Sequence, residues 1–329
     1  MAPYLLEKGY HVHGLIRPAA TDTTERLSEE VVTHTDFHLH SGDVTDSCAL
    51  SALLQRIKPD EIYHFAAQSH VGRSFDLPVH TTEVIALGTL KLLEAIRMHC
   101  PSAKLYQAGS SEMFGNAGPP PQNEDSAMIP QSPYAAAKLH AYHSVRLYRE
   151  AYGLYAVSGI LFNHESPLRG ADFVTRKVTK AVAAFKTGRR TSPLALGNLD
   201  AMRDWGAAED FLEAIWLMMR QEAPPLDLVI ATGESRSVRD MVETAFNAAD
   251  LAIKWRGRDL TEEGIDPESG TVRVVIDPTL YRPLEVYTLC GDAARAQDVL
   301  GWRPQRSFTD MIQLMVDADI KRMLRQTTE

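Results

Sequence analysis

Between residues 10 and 163, short runs rich in β-branched and aromatic residues recur with stretches of helical period between them. The runs are YHVHGLI (10–16), FHLHSGDV (37–44), EIYHFAA (61–67), KLYQAGSS (104–111) and AVSGILFN (156–163). Their alternation with helices is the pattern of βαβ units, and hence of a parallel sheet. Ala49, Leu50, Leu53, Leu54 and Ile57 mark one amphipathic helix, and Leu87, Leu90, Leu92, Leu93 and Ile96 another. Each apolar stripe is wide enough to cover a sheet face. Right-handed crossovers wind such a series into an α/β fold with a doubly wound, Rossmann-type parallel sheet, whose ligands lie outside the carboxyl ends of the strands.

After Asn163 the rhythm loosens into a loop and a basic helix start, HESPLRGADFVTRKVTKAV, followed by FLEAIWLMM, best explained as helix core, and a further strand, LVIATG (228–233). Ser237 with Asp240 reads as a capping box ahead of Met241, Val242, Ala245 and Phe246, and Ser307 with Asp310 repeats the device ahead of Met311, Ile312, Met315 and Val316. The organisation expected is a dinucleotide-binding domain over 1–165 and a smaller mixed α/β substrate lobe over 166–329, some segments of which return to the first domain.

Composition narrows the partners. Of 329 residues, 44% are hydrophobic, enough for a sizeable core, and 34 basic against 43 acidic residues leave a net charge of −9. That charge opposes nucleic acid and anionic membranes at long range, so an anionic ligand needs a local basic pocket. The three cysteines, Cys48, Cys100 and Cys290, show no CxxC spacing, which favours a reducing, cytoplasmic setting over a disulfide framework or zinc finger. No apolar run reaches the roughly 18 residues of a membrane span. His34, His38 and His40 lack a Cys or acidic partner at matching spacing, and no metal is expected.

Tyr134 and Lys138, in SPYAAAKL, stand four apart and share one helix face. An ammonium there favours tyrosinate, a base able to take a proton from an alcohol while its carbon is oxidised. One such spacing among eleven tyrosines is not diagnostic. Upstream, however, strand KLYQA ends in Gly109, Ser110, Ser111 and Glu112 at the ligand-bearing edge. SSE after a strand is commonly a cap. Together with Tyr134 and Lys138 it supplies a hydroxyl to polarise a carbonyl, a carboxylate to move a proton at carbon and a tyrosine base, a set suited to oxidation followed by elimination.

The motifs AAQSHV (66–71), YQAGSSEMFG (106–115), SPYAAAKL (132–139), GILFNHESPLRG (159–170), FVTRK (173–177), GNLDAMRDWG (197–206), IATGE (230–234) and YRPLEV (281–286) follow in order. Over about residues 4–320 the chain closely resembles the GDP-mannose 4,6-dehydratases, lyases of the extended short-chain dehydrogenase/reductase group. The resemblance implies conversion of GDP-mannose to GDP-4-keto-6-deoxymannose, with Ser110, Glu112, Tyr134 and Lys138 catalytic. Ser110 stands where the family usually has threonine. The resemblance further implies cofactor contacts at Arg17, Asp43, Val44, Phe65, Ala66, Ala67, Gln68, Ser69, Lys138, His164 and Arg169, and nucleotide-sugar contacts at Asn163, Lys177, Arg203, Arg282 and Glu285. NADP is the cofactor implied, and a homo-oligomer the assembly.

Two departures qualify that expectation. The family's first strand and GxxGxxG turn, whose N–H groups hold the pyrophosphate, are absent; APYLLEKGY resembles the latter half of the first helix, and the missing strand belongs in the middle of the sheet. A truncated gene product is the reading adopted, with loss of tight cofactor binding as its alternative. Arg17 is followed by Pro18, Ala19 and Ala20, where the family places arginines and serines for a 2′-phosphate, so NAD is the alternative to NADP; His80 stands in place of a cofactor-contacting tyrosine. The competing functions are a GDP-4-keto-6-deoxymannose reductase, which does not need Glu112 for elimination, and a nonenzymatic remnant.

Overall fold

Each of the five β runs of the first half forms a strand in the computed structural model, which describes residues 1–18 and 27–325. The chain divides into two units, one of Met1–Gly109, Pro133–Gly159 and Leu212–Asp227 and the other of Ser110–Ser132, Ile160–Phe211 and Leu228–Glu329. It thus passes between units several times, and Leu212–Asp227 of the second half lies in the first unit.

The first unit contains, in chain order, α1 (Ala2–Glu7), β1 (Val12–Ile16), α2 (Glu29–Val32), β2 (Phe37–Ser41), α3 (Ser47–Ile57), β3 (Glu61–His64), α4 (Arg73–Asp76), α5 (Pro78–Thr82), α6 (Gly88–His99), β4 (Lys104–Ala108), α7 (Pro133–Tyr152) and most of β5 (Ala156–Leu161). Strands β3, β4 and β5 run parallel, with Ile62 opposite Leu105 and Leu105 opposite Ala156. Strands β1 and β2 pair in parallel as a separate sheet, and among the described residues no ladder joins the two sheets.

Helix α3 starts at Asp46, whose carboxylate accepts the Cys48 and Ala49 N–H groups left without helical partners. Its Leu50 and Leu54 bury with Leu92, Leu93 and Ile96 of α6, Leu105 of β4, and Val145 of α7, the main apolar layer on this sheet. Leu87, counted in the same stripe from sequence, is instead exposed. The reason is a π-helical turn over Glu83–Leu87 ahead of α6, which shifts the helical period by a residue. A small second cluster of Leu6, Val31 and Phe37 holds α1 and α2 to β2. Gly159 on β5 is required by a close approach: a Cβ there would meet the Tyr106 hydroxyl at 2.4 Å.

The second unit contains β6 (Asn163–Glu165), α8 (Val174–Lys186), β7 (Leu194–Leu196), β8 (Met202–Ala207), the start of α9 (Ala208–Met218), β9 (Leu228–Ile230), β10 (Ser235–Ser237), α10 (Val238–Ala248), β11 (Lys254–Arg256), β12 (Glu263–Ile265), β13 (Val272–Ile276), α11 (Ala294–Leu300) and α12 (Phe308–Arg325). Its sheets have the orders β10-β8-β6 and β11-β12-β13-β7. Val178 and Val182 of α8, Trp205 of β8, Met241 and Phe246 of α10 and Met315 of α12 share its core. The capping box at Ser237 and Asp240 is present with both reciprocal bonds. At Ser307 the hydroxyl accepts from the Asp310 N–H but donates to the Asp310 carboxylate rather than leaving it to the backbone.

Candidate active site

In the first unit the residues expected to hold a dinucleotide follow the carboxyl ends of its strands. Arg17 follows β1, Asp43 and Val44 follow β2, and Phe65, Ala66, Ala67, Gln68 and Ser69 follow β3. Asp43 accepts from the N–H and hydroxyl of Thr45, each at 2.8 Å. These bonds, the backbone one foremost and with the charges of Arg17 and His80 behind them, lower its pKa against the opposing effect of burial. Gln68 is tied by its amide to the His70 carbonyl and accepts from Thr81. Ala19 and Ala20, where a 2′-phosphate would be read, lie outside the described residues.

Tyr134 and Lys138 lie on the first two turns of α7, both buried. Tyr134 packs with Ile85, Ala86, Ala137 and Ala141, so the π-turn that displaces Leu87 also shapes the wall around the ring. Lys138 Nζ lies 5.8 Å from the centre of the Tyr134 ring and donates to the Ala108 carbonyl at 2.7 Å, at the last residue of β4. Burial pushes the Lys138 ammonium down to about 8. The spacing of four therefore yields a real cation at the face of the tyrosine, anchored by a strand end.

In the second unit, Ser110 caps the 3₁₀ turn Ser111–Met113, its hydroxyl oxygen accepting the Glu112 N–H at 3.3 Å. The capping reading of SSE and the chemical one thus coexist, since the hydroxyl proton is not used in that bond. Glu112 is buried and its Oε1 accepts from Arg282 Nη1 at 3.1 Å. Arg203 Nη2 donates to Glu285 Oε1 at 3.2 Å, making two guanidinium–carboxylate pairs. Burial lowers the Arg203 pKa, aided by repulsion from Arg282, against the attraction of Glu112 and Glu285. For Arg282 burial acts the same way, but Glu112 and Glu285 outweigh it and the net shift is upward. Asn116 fixes the segment carrying Glu285, donating to the Glu285 carbonyl and accepting from the Tyr287 N–H.

Four sequence-selected residues of this unit are therefore together: Glu112, Arg203, Arg282 and Glu285. The others are placed separately. Asn163 lies on β6 opposite Trp205, and Lys177 is half-exposed on α8. His164 hydrogen-bonds through Nδ1 to the Phe162 carbonyl at 2.9 Å and stacks on Phe211. Arg169 pairs with Glu165 at 3.2 Å, its guanidinium 3.7 Å above the Phe173 ring.

Sequence reasoning passed over Asp204, between Arg203 and Trp205. Fully buried, it accepts from the Thr232 N–H and hydroxyl and from the Gly233 and Gly291 N–H groups, at 2.6–3.2 Å. One carboxylate thus joins β8 to the turn after β9 and to the segment following Cys290. The signal was available as a charged residue inside the otherwise apolar end of RDWGA, a pattern that demands buried partners.

The sequence profile described as GDP-mannose 4,6 dehydratase matches residues 1–315. Curated relatives include the GDP-mannose 4,6-dehydratase of Sinorhizobium fredii, 48% identical over 97% of this chain and 92% of that protein. Those of Drosophila melanogaster and Homo sapiens are 47% and 46% identical, each over 98% of this chain and over 83% and 88% of theirs. Among solved structures, a Thermus thermophilus UDP-glucose 4-epimerase superposes with a TM-score of 0.78 at 24% identity, covering 96% of this chain and 93% of that one. The dTDP-glucose 4,6-dehydratase DesIV of Streptomyces venezuelae gives 0.78 at 24% identity, covering 99% and 93%.

Proposed function

Because the chain belongs to the GDP-mannose 4,6-dehydratase family, we propose that it is a lyase converting GDP-mannose to GDP-4-keto-6-deoxymannose with a nicotinamide cofactor. The observation that carries the choice of elimination is Glu112, a buried carboxylate on the turn directly after β4, bound by Arg282. A reductase acting on the 4-keto sugar needs no carboxylate there.

The residues present fit a dinucleotide at the carboxyl ends of β1–β4, where Thr45 holds the Asp43 carboxylate in place and where the exposed Phe65 and Ala66 follow β3. Asp43, Val44, Phe65, Ala66, Ala67, Gln68, Ser69 and Lys138 would hold it, with His164 and Arg169. NADP is the form proposed, and NAD the alternative, since Arg17 is the sole cation left of the expected 2′-phosphate set. A bound nicotinamide would supply the hydride chemistry, oxidation at C4 and reduction at C6.

The chain's own groups do the proton work. Tyr134 as phenolate takes the proton of the sugar 4-hydroxyl, and the Lys138 ammonium stabilises that phenolate. Ser110 donates a hydrogen bond from its hydroxyl to the C4 oxygen. With C4 a ketone, the C5 proton is acidified and passes to Glu112, which delivers it to the C6 hydroxyl as that group leaves as water. Arg203 and Arg282 carry the charge that holds the diphosphate, with Asn163, Lys177 and Glu285 as further nucleotide-sugar contacts.

The decisive experiment uses GDP-mannose deuterated at C4. The dehydratase yields product with deuterium at C6 and no net change in nicotinamide absorbance. Stoichiometric NADPH oxidation with a 4-keto substrate and no conversion of GDP-mannose would establish the reductase instead.

A homo-oligomer is proposed as the assembly, supported by the large apolar side chains of Leu87, Met98 and Leu147 exposed on and beside α6 and α7. Sedimentation should show a single oligomer that Leu147→Glu dissociates. Among the described residues no helix is long and apolar enough to cross a membrane, and three free thiols suit the proposed cytoplasmic setting.

A further inference from the structure

His64 ends β3 with its side chain buried, and its Nε2 has no hydrogen-bond partner among the described residues. A buried imidazole nitrogen left unsatisfied carries a cost comparable to a lost hydrogen bond, so it calls for a partner. The register places His64 beside Gln107 on β4, the residue preceding Ala108. In a parallel pair, side chains of opposed residues project from the same sheet face about 4.8 Å apart. Gln107, also buried, donates from Nε2 to the Ala108 carbonyl at 3.2 Å, the same oxygen that takes the Lys138 ammonium at 2.7 Å. The end of β4 is therefore a small buried polar island, with His64 on one side and Lys138 above.

Burial foremost, with the charge of Lys138 behind it, drives the His64 imidazole down to about 3. The ring is neutral throughout the working range of a protein, and a neutral imidazole has one nitrogen that accepts. Lys138 has three N–H donors, of which the Ala108 carbonyl takes one. A fully buried ammonium needs acceptors to keep its proton.

We infer that His64 is a positioning residue for Lys138, presenting an unprotonated Nε2 as acceptor to the ammonium through one buried water, beside the Ala108 carbonyl. The inference rests on the reading of Tyr134 and Lys138 as base and cation for its consequence, though not for its geometry. Without this second acceptor Lys138 gives up its proton more readily and no longer sustains the phenolate at neutral pH. His64 itself touches no reacting atom.

The test needs no turnover. In the full chain, labelled with ¹⁵N-histidine and with ¹³Cε-lysine, the His64 resonances should report neutral imidazole with unprotonated Nε2. The Lys138 signal, assigned by its loss in Lys138→Arg, should titrate about one pH unit lower in His64→Leu, the effect of one hydrogen bond to a charged group. His64→Asn, whose side-chain oxygen restores an acceptor, should recover most of that shift. A merely structural role would lower the melting temperature in both variants without moving the Lys138 titration. A protonated Nε2, or an unmoved Lys138 titration in folded His64→Leu, overturns the inference. If His64→Leu fails to fold, the tautomer in the unaltered protein and the His64→Asn titration still decide it. Either result is independent of whether GDP-mannose is turned over, so failure here and failure of the proposed function are told apart.

Discussion

The Arg282 guanidinium holds the Glu112 carboxylate at 3.1 Å, so the group proposed to move the C5 proton and a cation proposed to bind the diphosphate are bonded to one another. The two tasks are coupled at a single contact. Glu112→Gln keeps an oxygen for Arg282 but cannot accept a proton. GDP affinity should stay within about threefold, while formation of the 4-keto-6-deoxy product falls at least about 10²-fold. Calorimetry with GDP and mass analysis of product check the pair, and near-normal product would reject Glu112 as the base.

Arg282→Met should weaken GDP binding by about 10–100-fold and leave Glu112 buried without its counter-charge. Arg282→Lys should recover only part of the affinity, since an ammonium cannot reproduce a planar fork of donors. Equal affinities for all three proteins would remove Arg282 from the diphosphate site.

Lys138 trades stability for chemistry. Its pKa in the fold, about 8, lies below that of an unfolded lysine. The unfolded chain therefore binds this proton more tightly, and stability from this group is present above the unfolded value and lost as pH falls through about 8. At pH 7 Lys138→Met should be more stable than the parent by about 1–3 kcal/mol, the gain shrinking toward pH 10, and it should be inactive. Urea melts at several pH values measure this, and a variant less stable at pH 7 than at pH 10, relative to the parent, contradicts it.

Asp204→Asn puts an amide where four donors converge. One of its two terminal atoms can no longer accept, and the N–H groups of Gly233 and Gly291 lose their partner. Destabilisation of about 2–4 kcal/mol is expected, read from urea midpoints with an unchanged slope.

Arg176 of α8 and Asp319 of α12 form a buried pair, with Thr179 donating to the same carboxylate. Removing one partner, as in Asp319→Ala, should cost about 3–5 kcal/mol by stranding the guanidinium. The double variant Arg176→Met, Asp319→Leu should recover much of that loss. Equal melting temperatures for the single variant and the parent would show the pair to be dispensable.

The parallel strands were readable in the sequence because each is a short β-rich run between helical stretches, and β5, buried at every position, reads as a nearly unbroken apolar segment. Helix starts were readable where a side chain does the capping, as at Ser237. Leu87 was misread because a π-turn obeys no 3.6-residue period. In the site, the proximity of Tyr134 and Lys138 is legible from their spacing along one helix, though not their role, which the spacing alone does not diagnose. The pairing of Arg282 with Glu112 does not, because 170 residues separate them and only the tertiary fold brings them together. Asp204 and His64 were missed for a related reason: each matters through backbone groups or neighbours contributed by other segments.

Because β1–β2 and β3–β4–β5 are separate ladders, the first unit is expected to open as two blocks on the scale of hydrogen exchange. Leu6, Val31 and Phe37 anchor the β1–β2 pair, with Leu15 of β1 touching only the margin of the layer that buries Leu50, Leu93, Ile96 and Leu105. Amides of Val12–Ile16 and Phe37–Ser41 should therefore exchange by sub-global opening, well before those of Lys104–Ala108. An opened β1–β2 block presents bare strand edges to other chains, which makes it the place where self-association in storage begins.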